Sequence, residues 1–407
     1  MPLKGTKTVT VLAMVATGSK YETRENNGIS HFLEHMFFKG TKKRPHTMDI
    51  ASELDGVGAE YNAFTDKECT GYWVKVDYSK KELALDVVSD ILLNSKFSQT
   101  EIDRERGVIM EERNMYLNNP MMRIDDIFEN CLYGDTFAGW DIVGTKKNIQ
   151  GLNRKDFLEY FKNQYGAENT VVCLAGNVKP EDSEKLVRKY FKDLRQAEPK
   201  EKESVKEVEQ KKPGLKLEYK EGEQINLSLG VRAYPIGHPR EYLAKMISVI
   251  LGGSMSSRLF TQLRERHGLA YYVRTASVFY TDTGYLTTEA GVPREKLDKA
   301  IEIILGEYRK IKDNLVSEQE LERTKELIKG RTLIQLESSD QVANWYARQE
   351  IFREDLFSWK EFLKKVDGIK REEMKKVAEE IFQNSGLNLA LIGPFKEKEG
   401  FREKLNL

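Results

Sequence analysis

Three segments of this chain recur in the same order at nearly the same spacing, which limits the fold more than any single motif does. Ser98-Gln-Thr-Glu-Ile-Asp-Arg104 returns as Ser317-Glu-Gln-Glu-Leu-Glu-Arg323, from 98 to 317, an offset of 219. Ile29-Ser30 and Leu33 return as Ile247-Ser248 and Leu251 at an offset of 218. The alternation Val9, Val11, Ala13 falls on Leu227, Leu229, Val231 at that same offset. One match is easily accidental; three in order argue for a duplicated unit. Residues 196–213 between the copies are rich in Lys, Glu and Gln, lack aromatics, and carry Pro199 and Pro213 near their ends. That composition reads as a charged linker, dividing the chain into domains at 1–195 and 214–407. The length of 407 residues suits the division, since a domain averages about 150 residues.

Local patterns give the elements of the first copy. Val9 to Ala16 is a β-branched run closed by Gly18-Ser19, and it predicts a buried strand rather than the apolar core of a signal peptide. Gly18 to Gly28 reads as a polar connection. Helices are expected over Ile29–Phe38 and Thr47–Leu54, then strands over Glu60–Thr65 and Cys69–Val76. Apolar spacing in Glu82–Leu93 predicts a helix lying on a sheet. Ser98 with Glu101 three residues on predicts a capping box opening a charged helix that runs to Tyr116. Further helices are expected at 120–132, 153–163 and Glu181–Phe191, with a strand at Thr170–Gly176. No apolar run approaches the 18 or so residues of a membrane span. Equal counts of 65 basic and 65 acidic residues remove any global electrostatic case for nucleic acid or an anionic membrane. Three cysteines, Cys69, Cys131 and Cys173, form no C-x-x-C and fit a reducing, cytoplasmic compartment.

The copies differ at one place that carries chemistry. His31-Phe32-Leu33-Glu34-His35 in the first faces Val249, Gly252 and Gly253 in the second. On a helix, positions i, i+3 and i+4 share a face, so His31, Glu34 and His35 point the same way. Two imidazoles so placed can grip a zinc ion, and Glu34 then stands where a general base for water is needed. The bland alternative is a helix that happens to carry two histidines. With five histidines in the whole chain, that clustering is an unusual accident. A third ligand is needed, and the helix at 98–116 offers Glu101, Glu105, Glu111 and Glu112. Glu105 and Glu112 are two helical turns apart and share a face, whereas Glu111 points about 100° from Glu112. Any one of them alone would read as part of a solvated face.

The His31-x-x-Glu34-His35 motif, followed by Glu105-Arg106-Gly107-Val108-Ile109-Met110-Glu111-Glu112, resembles the pitrilysin family of zinc metallopeptidases. These inverzincins include the mitochondrial processing peptidase, pitrilysin and insulin-degrading enzyme, and the resemblance spans essentially the whole chain. It implies one zinc per chain held by His31, His35 and Glu112, which lies 77 residues after His35, with Glu105 as a supporting acidic residue near the metal. Gly58-Ala-Glu-Tyr-Asn62-Ala63-Phe64-Thr65 resembles the family's edge strand. That implies substrate bound as an added β-strand against Asn62, Ala63 and Phe64, a mode in which main-chain hydrogen bonds hold any extended peptide. In the second copy, Arg264 and Tyr271 resemble an arginine–tyrosine pair that reaches the substrate and the scissile carbonyl. Taken alone they would read as a surface salt bridge and a packed aromatic.

The implied fold is α+β: two homologous domains, each a mostly antiparallel mixed β-sheet packed against α-helices. One departure stands out. Relatives usually carry an additional strand ahead of the one at 9–16, so the first sheet is expected to lack an edge strand or be completed otherwise. The implied function is a zinc-dependent endopeptidase for short or unfolded peptides, with Glu34 as general base. A chain of this size resembles two of the four domains that relatives assemble around a closed chamber. That implies a homodimer, or a heterodimer with a homologous subunit. The rival readings are a non-catalytic structural or partner subunit, and a zinc hydrolase of non-peptide amides.

Overall fold

The computed structural model describes residues 1–206, 210–395 and 400–407; residues 207–209 of the expected linker lie outside the described residues. The first half of the chain forms β1 (Thr8–Val15), α1 (Ile29–Met36), α2 (Thr47–Asp55), β2 (Glu60–Thr65) and β3 (Thr70–Asp77). Next come α3 (Lys81–Asn94), α4 (Gln99–Asn118), α5 (Pro120–Tyr133), α6 (Lys146–Gly151), α7 (Arg154–Gln164), β4 (Thr170–Gly176) and α8 (Pro180–Phe191). The second half forms β5 (Gly214–Tyr219), β6 (Gln224–Ala233), α9 (Glu241–Gly252), β7 (Tyr272–Phe279), β8 (Gly284–Pro293) and α10 (Leu297–Asp313). It ends with α11 (Glu318–Gln335), α12 (Ser339–Phe352), α13 (Trp359–Asp367), α14 (Arg371–Ile381) and β9 (Leu387–Gly393).

The repeated sequence segments land on matching elements. Val9, Val11 and Ala13 lie on β1, and Leu227, Leu229 and Val231 lie on β6. Each is a central strand with antiparallel partners on both sides. The other two pairs of segments open or occupy α1 and α9, and α4 and α11. The first sheet runs β2-β3-β1-β4, all antiparallel; the second runs β5-β9-β6-β8-β7, with β5 parallel to β9. The two sheets therefore differ by one strand. Where β5 pairs along β9, the first sheet has a parallel bridge from Pro2 to Gly176.

Two compact units form, and neither is a continuous stretch of chain. One holds Met1–Asn114, Trp140–Glu203 and Leu333–Leu356; the other holds Met115–Gly139, Ser204–Thr332 and Phe357–Leu407. The reason is visible in β1. Val9, Val11, Ala13 and Val15 enter the core beneath α1, α3 and α7, while Leu12 and Met14 point to the opposite face and are equally buried. A strand with two apolar faces needs cover on both. The second cover is α12, which lays Val342, Ala343 and Ala347 against Leu12, Met14, Cys173 and Ala175. The other sheet takes α5 in the same way, packing Ile124, Ile127 and Phe128 against Ala390 and Ile392.

Within the first unit, α1 is anchored by its apolar side. Ile29, Phe32, Leu33 and Met36 are buried, and Phe32 meets Phe157 edge-on at 4.8 Å. Just after the helix, Phe37 meets the rings of Tyr72 and Phe97 at 4.8 and 5.3 Å. The polar side of α1 is thereby left to face α4 and β2. In the second unit Gly252, which occupies the place of Glu34, sits where any β-carbon would collide with Thr275 of β7. Close packing of α9 on β7 has taken the space that a carboxylate uses in the first copy. Among the described residues, no helix is long and apolar enough to cross a membrane.

Candidate metal centre

The polar side of α1 presents His31 and His35 with ring centroids 4.8 Å apart. Helix α4 buries Ile102, Glu105 and Ile109 along one stripe, and Glu112 continues that stripe toward the two imidazoles. Glu112 Oε1 lies 3.5 Å from His31 Nε2, and Glu112 Oε2 lies 3.4 Å from His35 Nε2. One donor atom from each of the three residues falls within 4.8 Å of the others. A tetrahedral ion with bonds of about 2.0–2.1 Å holds its ligand atoms about 3.3–3.4 Å apart. The donor set fits zinc in chemistry, and each histidine–carboxylate contact lies close to that spacing. Glu111, by contrast, is exposed, and the Glu101 carboxylate accepts from Arg104 at 2.6 Å. Of the expected capping box, the Glu101 N–H to Ser98 Oγ contact is present at 3.4 Å.

Charge balance points the same way. Burial would raise the Glu112 carboxyl, but hydrogen bonds and proximity to His31 and His35 win and hold it well below the usual carboxylate range. Burial would lower His35, but the Glu105 and Glu112 carboxylates outweigh it and push the imidazole up to about 9. The carboxylates favour positive charge here, which a protonated imidazole or a bound cation would each supply. Glu105 Oε1 takes His35 Nδ1 at 2.9 Å, which turns Nε2 toward Glu112. Glu34 is raised by burial, partly offset by Thr65 Oγ1, which donates to its Oε2 at 2.6 Å.

A buried network sets the start of α1, and nothing in the polar stretch from Gly18 to Gly28 announced it. Gly28, with φ of 101°, precedes the helix and offers no side chain as a cap. Glu22 takes that role from outside the helix. Its Oε2 accepts from the Gly28 N–H at 2.8 Å and Asn27 Nδ2 at 2.9 Å, and its Oε1 accepts from the Ser30 N–H at 2.8 Å. Ser30 Oγ continues to Tyr160 Oη at 2.7 Å and on to Thr17 Oγ1 at 2.9 Å. Burial nevertheless pushes Glu22 up to about 7, the hydrogen bonds acting the other way. An unfolded chain releases that proton near 4.5, so between these values the folded state binds more protons. The contribution of Glu22 to stability is therefore expected to fall as pH rises from about 4.5 to about 7, by roughly 3 kcal/mol. Glu22→Gln should reduce by about that amount the loss of stability between pH 5 and pH 8 measured by urea unfolding. An equal loss in the variant would assign the ionisation to another group.

The other expected residues are placed as follows. Asn62, Ala63 and Phe64 lie on β2, the edge strand of the first sheet. The Ala63 N–H donates to the side-chain Oδ1 of exposed Asn62 at 2.8 Å. Arg264 sits in a π-helical turn, Phe260–Arg266, with its guanidinium 5.1 Å from the Phe260 ring and 6.0 Å from that of Tyr271. Such turns recur at functional positions. Tyr271 is 76% exposed and borders a cleft of about 930 Å³ with Gln224, Gly268, Gly291 and Arg294. The first unit thus gathers His31, Glu34, His35, Glu105 and Glu112, and the second unit pairs Arg264 with Tyr271.

Residues 3–145 match the family described as Insulinase (Peptidase family M16), and residues 151–328 match the Peptidase M16 inactive domain. The chain is 33% identical over 388 residues to the uncharacterized zinc protease YmxG of Bacillus subtilis, covering 95% of this chain and 93% of that one. It is 33% identical over 399 residues to an uncharacterized zinc protease of Rickettsia bellii, covering 97% and 94%. A crystal structure of a protease from Helicobacter pylori shares the fold, with a TM-score of 0.90 at 24% identity, over 97% of this chain and 96% of the other. The α+β architecture of two homologous domains, the metal-site motif and these relatives agree: the chain belongs to the M16 family of metallopeptidases, in its short form.

Proposed function

We propose that this chain is a zinc-dependent endopeptidase acting on short or unfolded peptides. The observation that supports it most is the approach of the Glu112 carboxylate to His31 Nε2 and His35 Nε2 at 3.5 and 3.4 Å, with Glu34 on the same helix face. His31, His35 and Glu112 hold one zinc per chain. When bound, zinc supplies Lewis-acid polarisation of a carbonyl and of a water molecule at neutral pH. Glu34 takes the water proton and passes it to the departing amine. Thr65 occupies Oε2 of Glu34, leaving Oε1 to carry that proton. The free edge of β2 receives the peptide as an added strand, the Ala63 N–H exchanging Asn62 Oδ1 for a substrate carbonyl. Phe64 adds apolar contact beside it, and for Arg264 and Tyr271 the proposed role is as cationic and phenolic donors to the substrate.

Removing zinc with a chelator is expected to abolish cleavage of a fluorogenic peptide library, and one equivalent of added zinc to restore it. A metal-free preparation that cleaves at the original rate would sink the proposal. The second reading, a non-catalytic partner subunit, draws on the description of the 151–328 match as an inactive domain. All three metal-site residues and Glu34 lie outside that segment, which favours the enzyme. A zinc-loaded protein inert toward every peptide would reverse that preference. We further propose a homodimer in the cytoplasm, where the three free thiols are chemically at home, with a heterodimer of homologous subunits as the alternative. Sedimentation of the purified chain reads its mass, and a monomer at micromolar concentration would count against the dimer.

A further inference from the structure

Lys39 stands four residues after His35, on the turn that closes α1, and its ammonium lies 2.6 Å from Glu105 Oε2. The other oxygen of Glu105 holds His35 Nδ1 at 2.9 Å, and His35 Nε2 lies 3.4 Å from Glu112 Oε2. We propose that Lys39 is a positioning residue for the metal, locking Glu105 so that Glu105 locks the His35 ring. The proposal rests on the zinc reading above and extends it to a residue that touches neither metal nor substrate.

Three features carry it. First, the Glu105 side chain is 5% exposed, so its charge needs a partner within the protein. Each carboxylate oxygen takes one donor, and without Lys39 the Oε2 atom loses its charged one. The carboxylate then gains by rotating toward water, and the Nδ1–H of His35 loses a fixed acceptor. Second, the two imidazoles are held differently. His31 is walled in at 10% side-chain exposure, and its Nδ1 finds no hydrogen-bond partner among the described residues, so packing sets its ring. His35 is more open, at 22%, and depends on Glu105 for its orientation. Third, the backbone fixes where Lys39 starts. Its N–H donates to the Met36 carbonyl at 3.2 Å. The next residue, Gly40, has φ of 114°, a conformation that side-chain-bearing residues rarely adopt, and a β-carbon there would collide with the Pro45 carbonyl.

The test measures zinc affinity of the full-length protein by competition with a chromophoric chelator, and reads ligand geometry from the visible spectrum of the cobalt-loaded protein. Lys39→Met is expected to weaken zinc about tenfold or more and to broaden the cobalt spectrum, and Lys39→Arg to recover most of the affinity. If Lys39→Met does not fold, Lys39→Gln makes the same comparison without the charge. In a Glu105→Gln background, Lys39→Met is expected to add nothing, because its route to His35 is already cut. Parental affinity in Lys39→Met overturns the proposal. So does an equal weakening in the Glu105→Gln background, which would mark a general charge effect. A parent protein that binds no zinc overturns the proposed function itself, so the two failures are distinguishable.

Discussion

Glu34→Gln is expected to keep one zinc per chain and to slow peptide hydrolysis by about 10²–10⁴-fold. The substitution preserves shape, and a glutamine carbonyl can still accept from Thr65 Oγ1, now at 2.6 Å. What it removes is the group that takes the proton. Burial raises Glu34, so its ionised form is costly to the fold, and the neutral amide should leave thermal stability unchanged or slightly higher. Loss of activity without loss of metal or stability is therefore the signature to look for, measured as kcat on a fluorogenic peptide beside zinc content and Tm. Undiminished cleavage would remove Glu34 from the chemistry, and loss of zinc would make it a ligand.

Glu112→Gln should act at the earlier step. Structural zinc sites bind with about 10–16 kcal/mol, so one ligand in three accounts for about 4 kcal/mol, or roughly 10³-fold in affinity. Its neighbour supplies the control. Glu111 is exposed on the same helix and carries the same charge, so Glu111→Gln alters long-range electrostatics almost identically. The pair separates ligation from charge: Glu112→Gln is expected to lose zinc and activity together, and Glu111→Gln to lose neither. Equal losses in both variants would overturn the choice of Glu112.

The candidate metal-site residues were legible because helical periodicity reports on one face at a time. His31, Glu34 and His35 share a face by spacing alone, and the seven residues from Glu105 to Glu112 did the same for α4. Spacing alone left four glutamates open as the third ligand; resemblance to a known family named Glu112, and the fold sets its carboxylate beside the two imidazoles. The strand at Thr8–Val15 and the helix at Ile29–Met36 fall within two residues of where β-branched and apolar patterns put them. What stayed hidden were contacts made to backbone or across distant segments. Glu22 caps α1 through N–H groups, which have no sequence signature, and Tyr160 joins it from 130 residues beyond Ser30. Thr65 was placed correctly on β2, yet nothing in the sequence tied its hydroxyl to Glu34. Lys39 did carry a signal, its four-residue spacing from His35, but a lysine near a helix end is too common to be singled out.

The crossing of α5 and α12 between the halves has a consequence for biosynthesis. A ribosome delivers β4 by residue 176, but the helix that covers the second face of β1 and β4 begins at Ser339. At elongation rates of about 5–20 residues per second, that face waits roughly 10–30 s for its cover. Throughout this interval Leu12, Met14 and Cys173 form an apolar surface on a nascent chain, of the kind that chaperones bind. Severing the chain at its linker would make the wait permanent, leaving each half with a bare sheet face and a helix with nowhere to lie.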